Sequence, residues 1–245
     1  MCTNYTPTAR DRFKAARLGV VHLPAADWPA EVFPGYEAPI IRRHDPGSKA
    51  ESATPERVCD IAKFGLMPRW SRDKAHALSI AKGTYNARNE TASEKPSFRS
   101  AWRERQWALV PMEGYFDPNW EEAHVNGGKP VRWRISRADN DPFACAALWE
   151  RWHDKTTGDV VTSFSLLTVN ADAHPLCGRL HRPGDEKRMP VIIAANDYDA
   201  WLNASPDEAH AFMRMFPADA LAGAPAPQLL RKPKMPKTTE NISLF

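Results

Sequence analysis

The chain has 245 residues, 42% hydrophobic and 26% charged, which places it in the globular range and excludes a disordered chain. Its formal net charge of +3, from 33 basic and 30 acidic residues, permits a nucleic-acid partner without demanding one. No apolar run approaches the roughly 20 residues that span a bilayer, so a membrane-spanning helix is excluded and no membrane partner is expected.

The opening stretch MCTNYTPTARDRF has no apolar segment behind its charges, so no secretory leader is expected and the protein is expected in the cytoplasm. Residues 8–18 read as a first helix, with Phe13, Ala16 and Leu18 on one face and Gly19 as a stop. Proline-rich irregular chain follows over 23–55. Strand-like runs rich in β-branched and aromatic residues come next at 107–116, 131–137, 143–150, 160–170 and 189–195, each bounded by turn formers. Helical patterns occupy parts of 88–105, 171–176 and 197–216, the last broken at Pro206. With no repeating βαβ period and with 22 prolines opposing long helices, the fold class is α+β with a predominantly antiparallel sheet. Residues 1–216 are expected to form one domain, and 217–245 a mobile Pro/Ala-rich basic tail.

The four cysteines, at 2, 59, 145 and 177, form no CxxC pair and are expected to be free thiols in a reducing compartment. If Met1 is removed, Cys2 carries a thiol and a primary amine on adjacent carbons. Ordinary pKa values of about 8.5 and 7.7–8.0 leave part of each nucleophilic near neutral pH. An aldehyde could then be captured as an imine and closed by sulfur to a thiazolidine. The plain alternative is an arbitrary residue at a frayed terminus.

His174, Cys177 and His181 in HPLCGRLH have a metal-like spacing, but Pro175 and Gly178 break the helix and no second ligand pair matches, so no metal or cofactor is expected. FGLMPRW and YNARNET put Trp70, Asn86 and Arg88 on mostly non-helical chain, where Trp can stack on a base and Arg can grip phosphate; otherwise Trp70 anchors a turn and Asn86 caps a helix. In VRWRISR, Arg132 and Arg134 share a strand face and, with Arg99, Arg103 and Arg105, would form a basic surface. LVPMEGYFDPNW offers Glu113 and Asp117 as possible acid/base groups, although Asp117-Pro118 is also an ordinary turn signal.

Cys2, GLMPRW, YNARNET, PSFRSAW, LVPMEGYFDPNW, ALWERW and His181 ahead of RMPVII occur in the order seen in the SOS response-associated peptidase (SRAP) family of abasic-site-processing proteins, which the chain resembles from about Cys2 to Ile193. The resemblance implies a single α+β domain with a β-barrel-like core and a channel for single-stranded DNA containing abasic sites. It implies no cofactor, and a monomer is expected. Cys2 resembles the crosslinking nucleophile, Asn86 and Arg88 the lesion- and phosphate-holding pair, and His181 the active-site histidine. Trp70 and Arg188 resemble DNA-contacting groups. The family's catalytic glutamate aligns with Asp117, one methylene shorter, with Glu113 in reserve. Two further departures are Thr3-Asn4 where the family often has Gly-Arg, and RPGDEK inserted between His181 and RMP. The competing function is a cysteine-dependent peptidase or thiol hydrolase using Cys2 and His181.

Overall fold

The computed structural model describes residues 3–20, 22–44, 57–121, 123 and 126–226. Strands β2 (Glu37–Arg43), β3 (Arg57–Phe64), β5 (Trp107–Asn119), β7 (Phe143–His153) and β8 (Val160–Asn170) pair in the closed order β7-β8-β3-β2-β5-β7. Only β3 and β8 run parallel within this barrel. Its interior is filled by side chains such as Ile40, Phe64, Phe164 and Leu166, which share one face of the sheet and are all fully buried. Phe64 stacks on Phe164 at 5.1 Å, a contact worth about 0.5–1.5 kcal/mol beyond its buried area.

The two long strands change partners halfway. Residues 107–112 of β5 pair with β7, while 114–119 pair with β1 (Asn4–Pro7) and β6 (Val131–Arg137). Likewise β8 leaves β3 and β7 after Leu166 and pairs with β4 (Asn86–Arg88) and β9 (Arg188–Pro190). Because β5 and β8 are both antiparallel to β7, their C-terminal halves emerge at the same end of the barrel, beyond Phe143. That shared end carries the chemistry described below. Gly114 sits at the β5 changeover, where a Cβ would lie 2.8 Å from the Ile135 carbonyl oxygen, so only glycine permits this approach of β5 to β6.

The helices are short: α1 (Lys74–Ala81), α2 (Asn89–Ala92), α3 (Arg99–Arg103), α4 (Tyr198–Asn203) and α5 (Pro206–Ala209). Trp107 donates its indole N–H to Ala204 O and Trp201 donates to Ala108 O, each at 2.9 Å, locking α4 against the start of β5. Burial of both rings is possible because each polar edge has a partner.

Several expectations need correction. The helix over 8–18 is a single 3-10 turn at Arg10–Arg12. Its side chains leave the helical surface, Arg10 to the carbonyls of Pro24 and Ala26 and Arg12 to Glu113, although Phe13, Ala16 and Leu18 are buried as the pattern implied. Residues 23–55 contain β2, whose Pro39 is tolerated because β2 meets β5 only at Ile41 and Arg42 and needs no donor toward β5 at position 39. Between FGLMPRW and YNARNET, where the sequence offered no element, the chain forms α1, capped by Asp73 accepting from His76 N–H at 2.8 Å. Residues 171–176 are not helical; a 3-10 turn follows at Cys177–Arg179. The run 189–195 is divided into β9 and β10 (Ile192–Ile193). The fold does not end at 216, because β11 (Leu221–Pro225) extends the sheet on β6.

FGLMPRW and ALWERW meet in space. Arg69 donates to both carboxylate oxygens of Glu150 at 3.0 and 2.8 Å, and Trp152 Nε1–H donates to Ser71 O at 3.1 Å. Burial pushes the Glu150 carboxyl up even against this guanidinium. Arg69→Met therefore destabilises the fold by about 1.5–3 kcal/mol at pH 7, the usual scale for a hydrogen-bonded charge. A carboxyl raised in the folded state loses stability as pH climbs through its folded pKa, so the deficit shrinks as the solution is acidified toward pH 5. Urea melts at the two pH values check this; an equal deficit at both would reject it.

Candidate functional site

Asp117 lies on the second half of β5 and is 2% exposed. The chain returns to it through His181, whose N–H donates to Pro118 O at 2.7 Å and whose Nε2 lies 3.2 Å from Asp117 Oδ1. His181 has φ of +65°, a left-handed conformation that is uncommon for a residue with a Cβ and that is held here by the Asn119–Leu180 bridge. Thus the imidazole reaches a strand-borne carboxylate only because the backbone is turned against its preference. Gly178 makes the preceding turn possible, since a Cβ there would sit 2.8 Å from the Asp172 carbonyl oxygen.

A cavity of about 330 Å³ opens beside Asp117, lined also by Thr3, Asn4, Phe116 and Arg132. The register of β1 on β5, Asn4 opposite Phe116, brings the N-terminal strand to this wall. Cys2 lies outside the described residues, and Thr3, bonded to it, lines the cavity. Arg132 stacks over the Phe116 ring, 3.3 Å from its centroid, and pairs with Glu31, which also holds Asn4. Glu113 is elsewhere: it pairs with Arg12, and its carbonyl accepts from Arg134 at 2.6 Å. Of the two carboxylates in LVPMEGYFDPNW, Asp117 is the one that meets the histidine.

The three residues of the metal-like spacing go to three different tasks. His174 Nδ1 accepts from the N–H groups of Leu176 and Cys177, and its Nε2–H donates to Phe216 O at 2.9 Å, which uses both ring nitrogens. Cys177 is buried against the Tyr115 hydroxyl at 3.3 Å, and burial pushes its thiol up to about 12. Only His181 faces the carboxylate. Among the described residues no group of three His, Cys, Asp or Glu side chains is arranged to hold a metal ion.

A second cluster sits on the emerging half of β8. Arg88, opposite Thr168 on β4, keeps 51% of its side chain exposed and pairs with Glu186 at 2.8 Å. Asn86 is partly buried on the same strand and is not a helix cap; the cap position of α2 is Arg88, without a side-chain bond. Arg188 does not match the expectation of a DNA-facing arginine. It is 1% exposed, and reaches across β8 to Glu90 at 2.9 and 3.0 Å, Glu186 at 2.6 Å and Thr168 O at 2.7 Å. These groups clamp β4 and β9 to β8. The loop over 182–187 closes on itself, with Lys187 Nζ donating to the carbonyls of His181 and Arg182 at 3.3 and 2.6 Å, and His181 lies against Asp117 ahead of it.

Trp70 stands apart. It is 48% exposed, donates its indole N–H to Pro96 O at 3.0 Å, and follows the Arg69–Glu150 pair. Its neighbour Arg69 is tied to Glu150, which is opposite Ser163, five residues before the Thr168 that faces Arg88 on β8. The expected joint basic surface also divides: Arg105 precedes β5, where it donates to the Ala204 carbonyl, whereas Arg132 and Arg134 pair with its far end. Sequence reasoning missed Glu90 and Glu186, although both lie inside segments it had singled out.

Among the described residues no helix is long and apolar enough to cross a membrane. Comparison with known proteins places these features in a family. The model of the family described as SOS response associated peptidase (SRAP) matches residues 1–233. The abasic site processing protein YoqW of Bacillus subtilis is 27% identical over 175 residues, 70% of each chain. A crystal structure of a protein from Bordetella bronchiseptica is similar at 32% identity and a TM-score of 0.80, covering 93% of this chain and 100% of that one. One from Bacteroides thetaiotaomicron follows at 27% identity and 0.74, covering 91% and 90%. With a family model spanning nearly its whole length, the chain belongs to the SRAP family.

Proposed function

We propose that this protein processes abasic sites in single-stranded DNA, capturing the ring-opened sugar aldehyde on Cys2 after removal of Met1 and acting as a monomer. The α-amine condenses with the aldehyde carbon to an imine, releasing water. The thiol then adds across the C=N bond, sulfur to carbon and proton to nitrogen, closing a thiazolidine. The observation that carries the reading is the buried Asp117–His181 pair beside the cavity that Thr3 lines. An imidazole and a carboxylate in contact can protonate a sugar ring oxygen and relay protons at the amine, and they give the same protein a route to lyase chemistry and crosslink reversal from the imine. Asn86 and Arg88 would hold the lesion and its phosphate, with Trp70 stacking on a base and the buried Arg188 holding β4 and β9 to β8 behind them. The similarity to YoqW supports abasic-site processing as the reaction class.

The deciding experiment is intact mass after incubation with uracil-containing single-stranded DNA from which uracil has been excised. The expected product is protein lacking Met1 plus the DNA strand less one water. A thiol hydrolase using the same Cys2 and His181 would leave the DNA unattached and cleave an amide or ester probe instead.

Arg88→Ala is expected to weaken binding to undamaged single-stranded DNA and to lower the salt slope by about 1, because one guanidinium–phosphate contact releases about one counterion. Fluorescence anisotropy across a salt series checks it; an unchanged slope would remove the phosphate role.

A further inference from the structure

The inserted loop between His181 and Arg188 contributes a carboxylate where DNA chemistry requires a cation to be available. Glu186 Oε2 is 2.8 Å from Arg88 Nη1, and its other oxygen accepts from Arg188 at 2.6 Å. Asn170 Nδ2 donates to that second oxygen as well, at 3.2 Å. Glu186 is thus held in place from behind while its front oxygen occupies the exposed guanidinium. The four charges here, Arg88, Arg188, Glu90 and Glu186, cancel, so the cluster presents no net positive charge to an approaching strand. The Arg188 hydrogen bond holds the Glu186 carboxyl below its usual range.

We propose that Glu186 is a specificity-determining residue that occupies the phosphate position on Arg88 and must be displaced by the DNA backbone. This rests on the reading of Arg88 as a phosphate-holding group. Displacement requires only that one arginine–carboxylate contact open, because the second oxygen keeps its bonds to Arg188 and Asn170. A lone anion gains little by that exchange, since it replaces one charge-assisted hydrogen bond with another. A strand anchored at neighbouring points gains the extra contacts, so the carboxylate biases the site toward polymers over free phosphate.

The test is anisotropy with an undamaged single-stranded oligonucleotide, with inorganic phosphate as competitor, on the full chain. Glu186→Gln keeps an oxygen acceptor for Arg188 and is expected to tighten DNA binding about three- to tenfold and to make binding more sensitive to phosphate. In the Arg88→Ala background the same change should give little gain, since the released partner is gone. Thermal melts confirm that the variants are folded, and Glu186→Asp, which retains the charge on a shorter arm, provides a second variant. Wild-type binding with no gain in Glu186→Gln, or a full gain surviving in Arg88→Ala, would overturn the inference while leaving the DNA-binding reading standing. No binding by either wild type or Glu186→Gln would overturn both.

Discussion

Cys2→Ala is expected to abolish the adduct that survives denaturation, a loss of at least about two orders of magnitude against wild type. The reason is the order of bond formation. An α-amine alone gives an imine, which water reverses; a sulfur on the next carbon closes a five-membered ring and removes the imine from that equilibrium. The ordinary pKa values of both groups lie within about 1.5 units of neutral pH, so neither needs a strongly perturbed environment to react. Cys2→Ser retains the amine and supplies a poorer nucleophile, so it should yield an imine trapped by borohydride and little stable ring. Any residue left ahead of Cys2 converts its amine to an amide and should be as damaging as the alanine. Denaturing gels with intact mass read all of these, and normal crosslinking by a protein whose N-terminal tag is still attached would refute the mechanism.

Asp117→Asn carries the second large effect: crosslink formation or reversal slowed by about 10²–10⁴-fold under single-turnover conditions, with affinity for undamaged DNA nearly unchanged. The amide preserves shape and removes the charge that faces His181 Nε2 at 3.2 Å. His181→Ala should slow ring opening and strand cleavage from the imine for the same reason. A carboxylate one methylene shorter than the family's glutamate suggests that Asp117→Glu would improve the rate, but the structure argues the opposite. Asp117 already reaches the imidazole from a site 2% exposed, so an added methylene has to displace packed neighbours and should slow the reaction. Glu113→Gln should leave the rate within about twofold, since that carboxylate is engaged with Arg12. A damaging Glu113→Gln beside a silent Asp117→Asn would reverse the assignment.

Local chemistry explains which parts of the fold were legible. VRWRISR and VVTSFSLLTVN alternate or run apolar between polar turns, and β6 and β8 occupy those residues. The stretch at 8–18 has a helical apolar face but no helix, because Arg10 and Arg12 make tertiary bonds that outweigh a weak propensity. Pro39 hid β2, and AGAP offered no strand signal for β11, whose pairing is supplied by β6. In the same way HPLCGRLH resembles a ligand set by spacing, whereas the turn around Gly178 sends its side chains in three directions.

The sequence alone identified the family and the α+β class, because those depend on side-chain chemistry and order along the chain. Which residues meet was decided by tertiary structure. Asp117 meets the histidine and Glu113 does not because of strand register and a left-handed His181 64 positions later, and Arg188 is held inward by Glu90 from α2 together with its near neighbour Glu186. The physical reason is range: propensity and periodicity act over a few residues, whereas Asp117 meets His181 only where the chain returns to β5, and Arg88 and Arg188 share Glu186 only where β4 and β9 flank β8.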